Sequence, residues 1–269
     1  MKNKFILSSI LLISTVSFAF DLSSFTKTIT DTISEKTQTS QSSTSNSLLS
    51  NDTISSGLKE ALTKGVDFAV EELGAQNGYL NNPLVKIPLP DNLAKMETIV
   101  RKAGGDEMMD NLINSINNAA TTAAPKTANI LLDAVKNMNL EDATKILAGN
   151  NTAATEFFEK NTTTDLQKLI NPIIEDSMKE NQVVKYYEIV NDFYKSNVES
   201  YTKNSSVMEY ASKLGVDSYI PKSSDEDLNG FVTQKAISGL FKMIAEKESA
   251  IRENPIEQTT SLLKEVFTK

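Results

Sequence analysis

Residues 231–255 read FVTQKAISGLFKMIAEKESAIRENP. Phe231, Ile237, Leu240, Phe241, Ile244 and Ile251 form an apolar stripe at helical spacing, with charged residues between them. The pattern predicts a long helix over about 227–253. Glu248 falls four residues after Ile244 and three before Ile251, so it points toward the edge of the core. Arg252 follows four residues later, with the acid first, the better orientation for a pair on one helix. A structural ion pair is the plain reading of Glu248 and Arg252. The sharper reading is a polar pair facing an internal pocket, which makes both candidate binding residues.

The same periodicity runs outward through the chain. Asp52 can cap a helix that carries Ile54, Leu58, Leu62, Val66 and Val70 and stops at Gly74. Asp91 opens a helix that ends at Gly104-Gly105, and Asp106 caps the next. Pro125 either kinks that helix or starts another. Short helices are expected at about 140–148 and 152–160, with Thr164 capping a longer one in which Pro172 makes a kink. Residues 183–201 carry a further stripe, and Pro255 is expected to open a last helix ending near Phe267. About ten helices, no convincing strand run and no fixed repeat predict an all-α fold with one domain over 52–269.

One segment departs from this pattern. Residues 78–90 read GYLNNPLVKIPLP, and Pro83, Pro88 and Pro90 prevent a helix. Val85, Ile87 and Leu89 fall on one side of an extended chain, with Lys86 and Pro88 on the other. An apolar strip with no sister strand must lie on the helical body. The expectation is an extended strap, with Lys86 on its free side as a candidate binding residue.

The N-terminus reads as a targeting signal. Lys2 and Lys4 precede an apolar run from Phe5 to Val16, and Ser17-Phe18-Ala19 offers small residues at a cleavage site. The reading is a secretory signal peptide over 1–19, cleaved after Ala19, that delivers the chain to the bacterial periplasm with no membrane span in the mature protein. Residues 21–47 hold 15 Ser or Thr in 27 positions. They cannot bury enough apolar area to offset ordering, so 20–51 is expected to be a flexible arm.

Composition narrows the chemistry. Cys, His and Trp are absent, and 27 Lys and Arg face 35 Asp and Glu, for a net charge of −8. Disulfides, zinc fingers, His bases and Cys nucleophiles are therefore excluded. An acidic balance disfavours a nucleic-acid partner. Asp225-Glu226-Asp227-Leu228-Asn229-Gly230 resembles the front of a calcium loop, but Ala236 stands where a bidentate Glu is needed. An acidic helix start is preferred, and no metal or cofactor is expected. Glu71-Glu72 and Glu141-Asp142 could serve acid–base work, yet such pairs are mostly solvated faces, so no catalytic residue is assigned. Six of the seven tyrosines lie within 186–219, and Tyr187, Tyr194 and Tyr201 are seven apart on one helical seam. Tyrosine joins apolar area to a hydroxyl, so the seam suits either a covered core edge or a contact surface.

SSGLKEAL at 55–62, GYLNNPLVKIPLP at 78–90, LLDAVKNMNLEDATKIL at 131–147 and the quoted 231–255 stretch together resemble an exported bacterial family catalogued as domain of unknown function 4197. The resemblance covers about 52–269. It implies an exported, helical, single-domain protein and brings no catalytic residues. Members often carry a lipoprotein signal; this chain has no cysteine to acylate.

Two functions follow as expectations. The first is a non-enzymatic interaction or scaffold protein of the cell envelope that binds a protein partner. The second is a helical carrier of an apolar ligand such as a lipid.

Overall fold

The computed structural model describes residues 49–141, 143–196, 213 and 227–268. Among the described residues there are eight helices and no strand. They are α1 (Asn51–Gly74), α2 (Asp91–Lys102), α3 (Asp106–Asn137), α4 (Ala143–Leu147), α5 (Ala153–Glu180), α6 (Val183–Tyr194), α7 (Leu228–Glu253) and α8 (Ser261–Phe267).

Four long helices close a ring. α1 packs against α3 and α7, and α5 packs against the same two helices from the other side. Each long helix thus has two long neighbours. α8 and α4 flank α1, α6 lies on α3, and α2 lies on α3 and α6. Leu58, Leu62, Val66, Phe158, Ile170, Ile174, Leu240 and Ile244 are buried between them. Full burial of such side chains is worth about 1.5–3 kcal/mol each. Phe158 and Phe241 meet edge to face, with centroids 5.4 Å apart and ring planes at 78°. Glycine lets α1 come close to its neighbours: a Cβ at Gly65 would lie 2.8 Å from Ile244 Cγ2, and one at Gly57 would lie 2.6 Å from Val266 Cγ2. Among the described residues no helix is long and apolar enough to cross a membrane.

Among the described residues two places where a break could be read from the sequence are bridged. Residues 161–164, Asn-Thr-Thr-Thr, look like a junction, yet α5 runs through them. The Thr162 hydroxyl donates to the Phe158 carbonyl, the Thr163 hydroxyl to that of Glu159, and the Asn161 amide to that of Phe157. These bonds back to the preceding turn satisfy the polar side chains without interrupting the helix, at a small cost to its stability. Pro125 stands inside the continuous α3, its ring set against Gly74 at the end of α1. Pro172 likewise stands inside α5. Other ends shift slightly. Ser50, not Asp52, caps α1, its Oγ accepting from the Thr53 N–H at 3.0 Å. Pro255 sits in a turn, and α8 begins only at Ser261, capped by Thr260.

The segment between α1 and α2 also differs from expectation. It is a run of turns through most of residues 76–85 and lacks turns only over 86–90. An extended strap over the whole of 78–90 is therefore too simple. Asn82 makes the change of direction: its carbonyl accepts from the Val85 and Lys86 N–H groups, and its side chain accepts from the Leu84 N–H. Val85, Ile87 and Leu89 are buried, whereas Lys86 and Pro88 are exposed.

Candidate functional site

Glu248 and Arg252 form one site on α7, and it is wholly internal. The Glu248 side chain is 0% exposed and that of Arg252 is 7% exposed, with Nε 2.8 Å from Oε1. The carboxylate also reaches the first turn of α5. Oε1 accepts from the Ala154 N–H at 3.0 Å, and Oε2 accepts from the Thr155 N–H at 2.7 Å and the Thr155 hydroxyl at 2.6 Å. The N-cap of α5, Thr152, makes no capping bond of its own. A carboxylate from a different helix does that work, where the exposed N–H groups and the helix dipole favour an anion.

Arg252 serves the opposite pole. It donates to the carbonyls of Leu147 at 2.9 Å and Ile146 at 3.2 Å, the C-terminal end of α4. Its guanidinium carbon lies 5.3 Å from the centre of the Phe267 ring in α8. Gln258, also buried, donates to the Ile251 carbonyl and accepts from the Thr268 hydroxyl. This corner joins α4, α5, α7 and α8, and its polar atoms are spent on main-chain groups and on one another.

A second polar cluster holds the 78–90 segment. Asn117 on α3 is fully buried. Its Oδ1 accepts from the Ile87 N–H at 2.8 Å, and its Nδ2 donates to the Ile87 carbonyl at 3.0 Å. One side-chain amide thus does what a neighbouring strand would do. Tyr79 is buried beneath the turns, with its hydroxyl donating to the Ala236 carbonyl at 2.8 Å. Burial pushes that hydroxyl far above its ordinary range and keeps it a donor. Gly239 makes room for it, since a Cβ there would stand 2.7 Å from Tyr79 Cε1. Lys242 closes the segment from outside, donating to the Leu84 carbonyl at 3.0 Å.

The tyrosine seam divides. Tyr194 is buried, Tyr187 is half-buried, and Tyr201 lies outside the described residues. Beside Tyr187 on α6, Val184 and Ile189 are exposed apolar side chains, set among Lys185, Glu188 and Asp192. Lys86, Tyr187 and the Glu248–Arg252 pair occupy different elements: the α1–α2 connection, α6 and α7. Of the calcium-like stretch, Asp225 and Glu226 lie outside the described residues. Asp227 caps α7 by accepting from the Gly230 N–H, and everything after it through Val232 is helical, which leaves no loop for the second half of that motif.

Asn117, Tyr79 and Gln258 are residues that sequence reasoning missed. Asn117 had a signal: it interrupts the small and apolar face of α3 formed by Leu112, Ile116, Ala119, Ala120 and Ala123. Tyr79 is the one tyrosine outside the cluster.

No curated protein and no solved structure matches the chain. Residues 48–268 match the model of a family described as a protein of unknown function (DUF4197), and the chain belongs to that family.

Proposed function

We propose that this chain is exported to the periplasm and acts there as a non-enzymatic interaction protein of the cell envelope. Residues 1–19 support export through their basic start, apolar centre and small residues at a cleavage site. The observation that carries the interaction reading is the division of polar and apolar groups. The buried polar side chains Glu248, Arg252, Asn117, Tyr79 and Gln258 are committed to main-chain partners. Meanwhile α6 turns Val184 and Ile189 to solvent beside the half-buried Tyr186 and Tyr187. Lys185, Glu188 and Asp192 lie between the two aliphatic side chains, so this exposed face is a mixed polar and apolar one flanked by two tyrosines, a composition that suits a polar contact surface.

Photo-crosslinking in living cells tests this reading. A photoreactive side chain at Val184 or Ile189 is expected to give a discrete protein adduct, and the same group at Lys168 on the exposed face of α5 is not. Adducts of equal yield from all three positions would defeat it. A stoichiometric lipid extracted from gently purified chain would transfer support to the apolar-ligand carrier.

A further inference from the structure

The chain carries four Asn-x-Ser/Thr patterns, at Asn51, Asn150, Asn161 and Asn204. Such a pattern is an acceptor for N-linked oligosaccharide in exported proteins. The acid-requiring class of bacterial oligosaccharyltransferases adds a further requirement, a carboxylate two residues before the asparagine. Leu49, Ala148 and Thr202 occupy that place for three of the four. Only Asn161 has an acid there, in Glu159-Lys160-Asn161-Thr162-Thr163. We propose that Asn161 is the N-glycosylation site of this protein, an inference that rests on the export reading above.

One observation favours this site, and a second limits when it can be used. Glu159, Lys160 and Asn161 are exposed on α5, and so are Thr164 and Asp165 on the following turn. A glycan on Asn161 can extend into solvent without displacing a buried group. The surrounding turn is also poor in intrinsic helix formers. Asn161, Thr162, Thr163, Thr164 and Asp165 are five consecutive residues of low helix propensity. In the folded helix the Asn161 amide donates to the Phe157 carbonyl and the Thr163 hydroxyl donates to that of Glu159. The two groups the enzyme must read are therefore engaged once α5 forms. Modification belongs to the translocated, unfolded chain or to local opening of this turn.

The donor class is an oligosaccharide on a polyprenyl diphosphate. Asn161 Nδ2 forms a bond to the anomeric carbon while the bond from that carbon to the diphosphate oxygen breaks. Polyprenyl diphosphate leaves with the electron pair, and the proton lost from the amide nitrogen passes to water, which balances the step.

The test uses the full chain in a bacterial host supplied with an acid-requiring periplasmic oligosaccharyltransferase and one defined polyprenyl-diphosphate-linked oligosaccharide. Two versions are compared, one with its own residues 1–19 and one with an established secretory signal in their place. Intact mass and glycopeptide mapping should find one added oligosaccharide, on Asn161. It should be lost in Asn161→Gln, Thr163→Ala and Glu159→Gln, the last of which keeps size and surface polarity. Exported, folded chain that stays unmodified behind the established signal overturns the inference. So does a glycan on Asn51, Asn150 or Asn204, or one that survives Glu159→Gln. A glycan found only behind the established signal upholds the acceptor site and overturns the export reading instead.

Discussion

Glu97–Arg101 on α2 and Glu248–Arg252 on α7 have the same spacing, the same order and nearly the same length, 2.9 Å and 2.8 Å. Their surroundings differ. The first pair is 28% and 29% exposed, and Arg101 also turns to Asp106 at 3.4 Å and Asp110 at 2.6 Å across the α2–α3 corner. The hydrogen bonds from Arg101 to Asp110 and Glu97 hold its guanidinium even more firmly charged than usual. Water still competes for those groups, and exposed pairs contribute about 0–1 kcal/mol. The second pair is sealed, and each member finishes a helix end that water cannot reach. Two pairs of one pattern thus do different jobs, and burial decides which.

The largest effect expected from breaking this comparison is at Glu248. Glu248→Ala should lower unfolding free energy by about 3–5 kcal/mol in urea titration, because Arg252 and two α5 N–H groups lose their anion. Adding Arg252→Ala should not restore stability, since the ends of α4 and α5 stay uncapped. Recovery in the double variant would reduce the corner to a simple ion pair. Asn117→Ala comes next. It strands the Ile87 N–H and carbonyl in the interior, at about 1–3 kcal/mol for each buried group left unmet. Hydrogen exchange should then speed up at Ile87 before it does in α7; a change spread evenly over the chain would contradict the clamp.

Glu97→Ala is expected to cost only about 0.3–0.5 kcal/mol, as other pairs of this spacing on an exposed helix do. That small loss should shrink further in molar salt, while the loss from Glu248→Ala should persist. The smallest effect has the opposite sign. Asp67 is an exposed residue, yet partial desolvation of its carboxyl, offset in part by Lys64, raises it above its ordinary value. A raised acid binds its proton more tightly folded than unfolded. Its contribution is therefore complete below the unfolded value of about 4 and is lost as pH rises through the folded value. Asp67→Asn should raise the Tm slightly at pH 7, and the gain should vanish near pH 3. A gain that is the same at both pH values would mean that the charge is not its cause.

Helical periodicity made most of the fold legible. α1, α2, α3 and α7 each fall where apolar residues recur at three and four and where Gly or Pro interrupts them. The inward side of Val85, Ile87 and Leu89 could also be read, because alternation alone separates them from Lys86 and Pro88. The pairing of Glu248 with Arg252 was readable for the same reason. What the pair holds was not, since Ala154 and Leu147 are about a hundred residues away in sequence and nothing local marks them.

The sequence by itself determined an all-helical chain, its apolar faces and the place where helix gives way to a proline-rich connection. These are local properties, written in the period of side chains and in the backbone limits of proline and glycine. Only the tertiary structure decided that α5 runs unbroken through its threonines, that Asn117 substitutes for a missing strand, and that one of two matching Glu–Arg pairs is structural. Each of those outcomes depends on whether water can reach a polar group, and solvent access is settled by what packs over it from elsewhere in the chain.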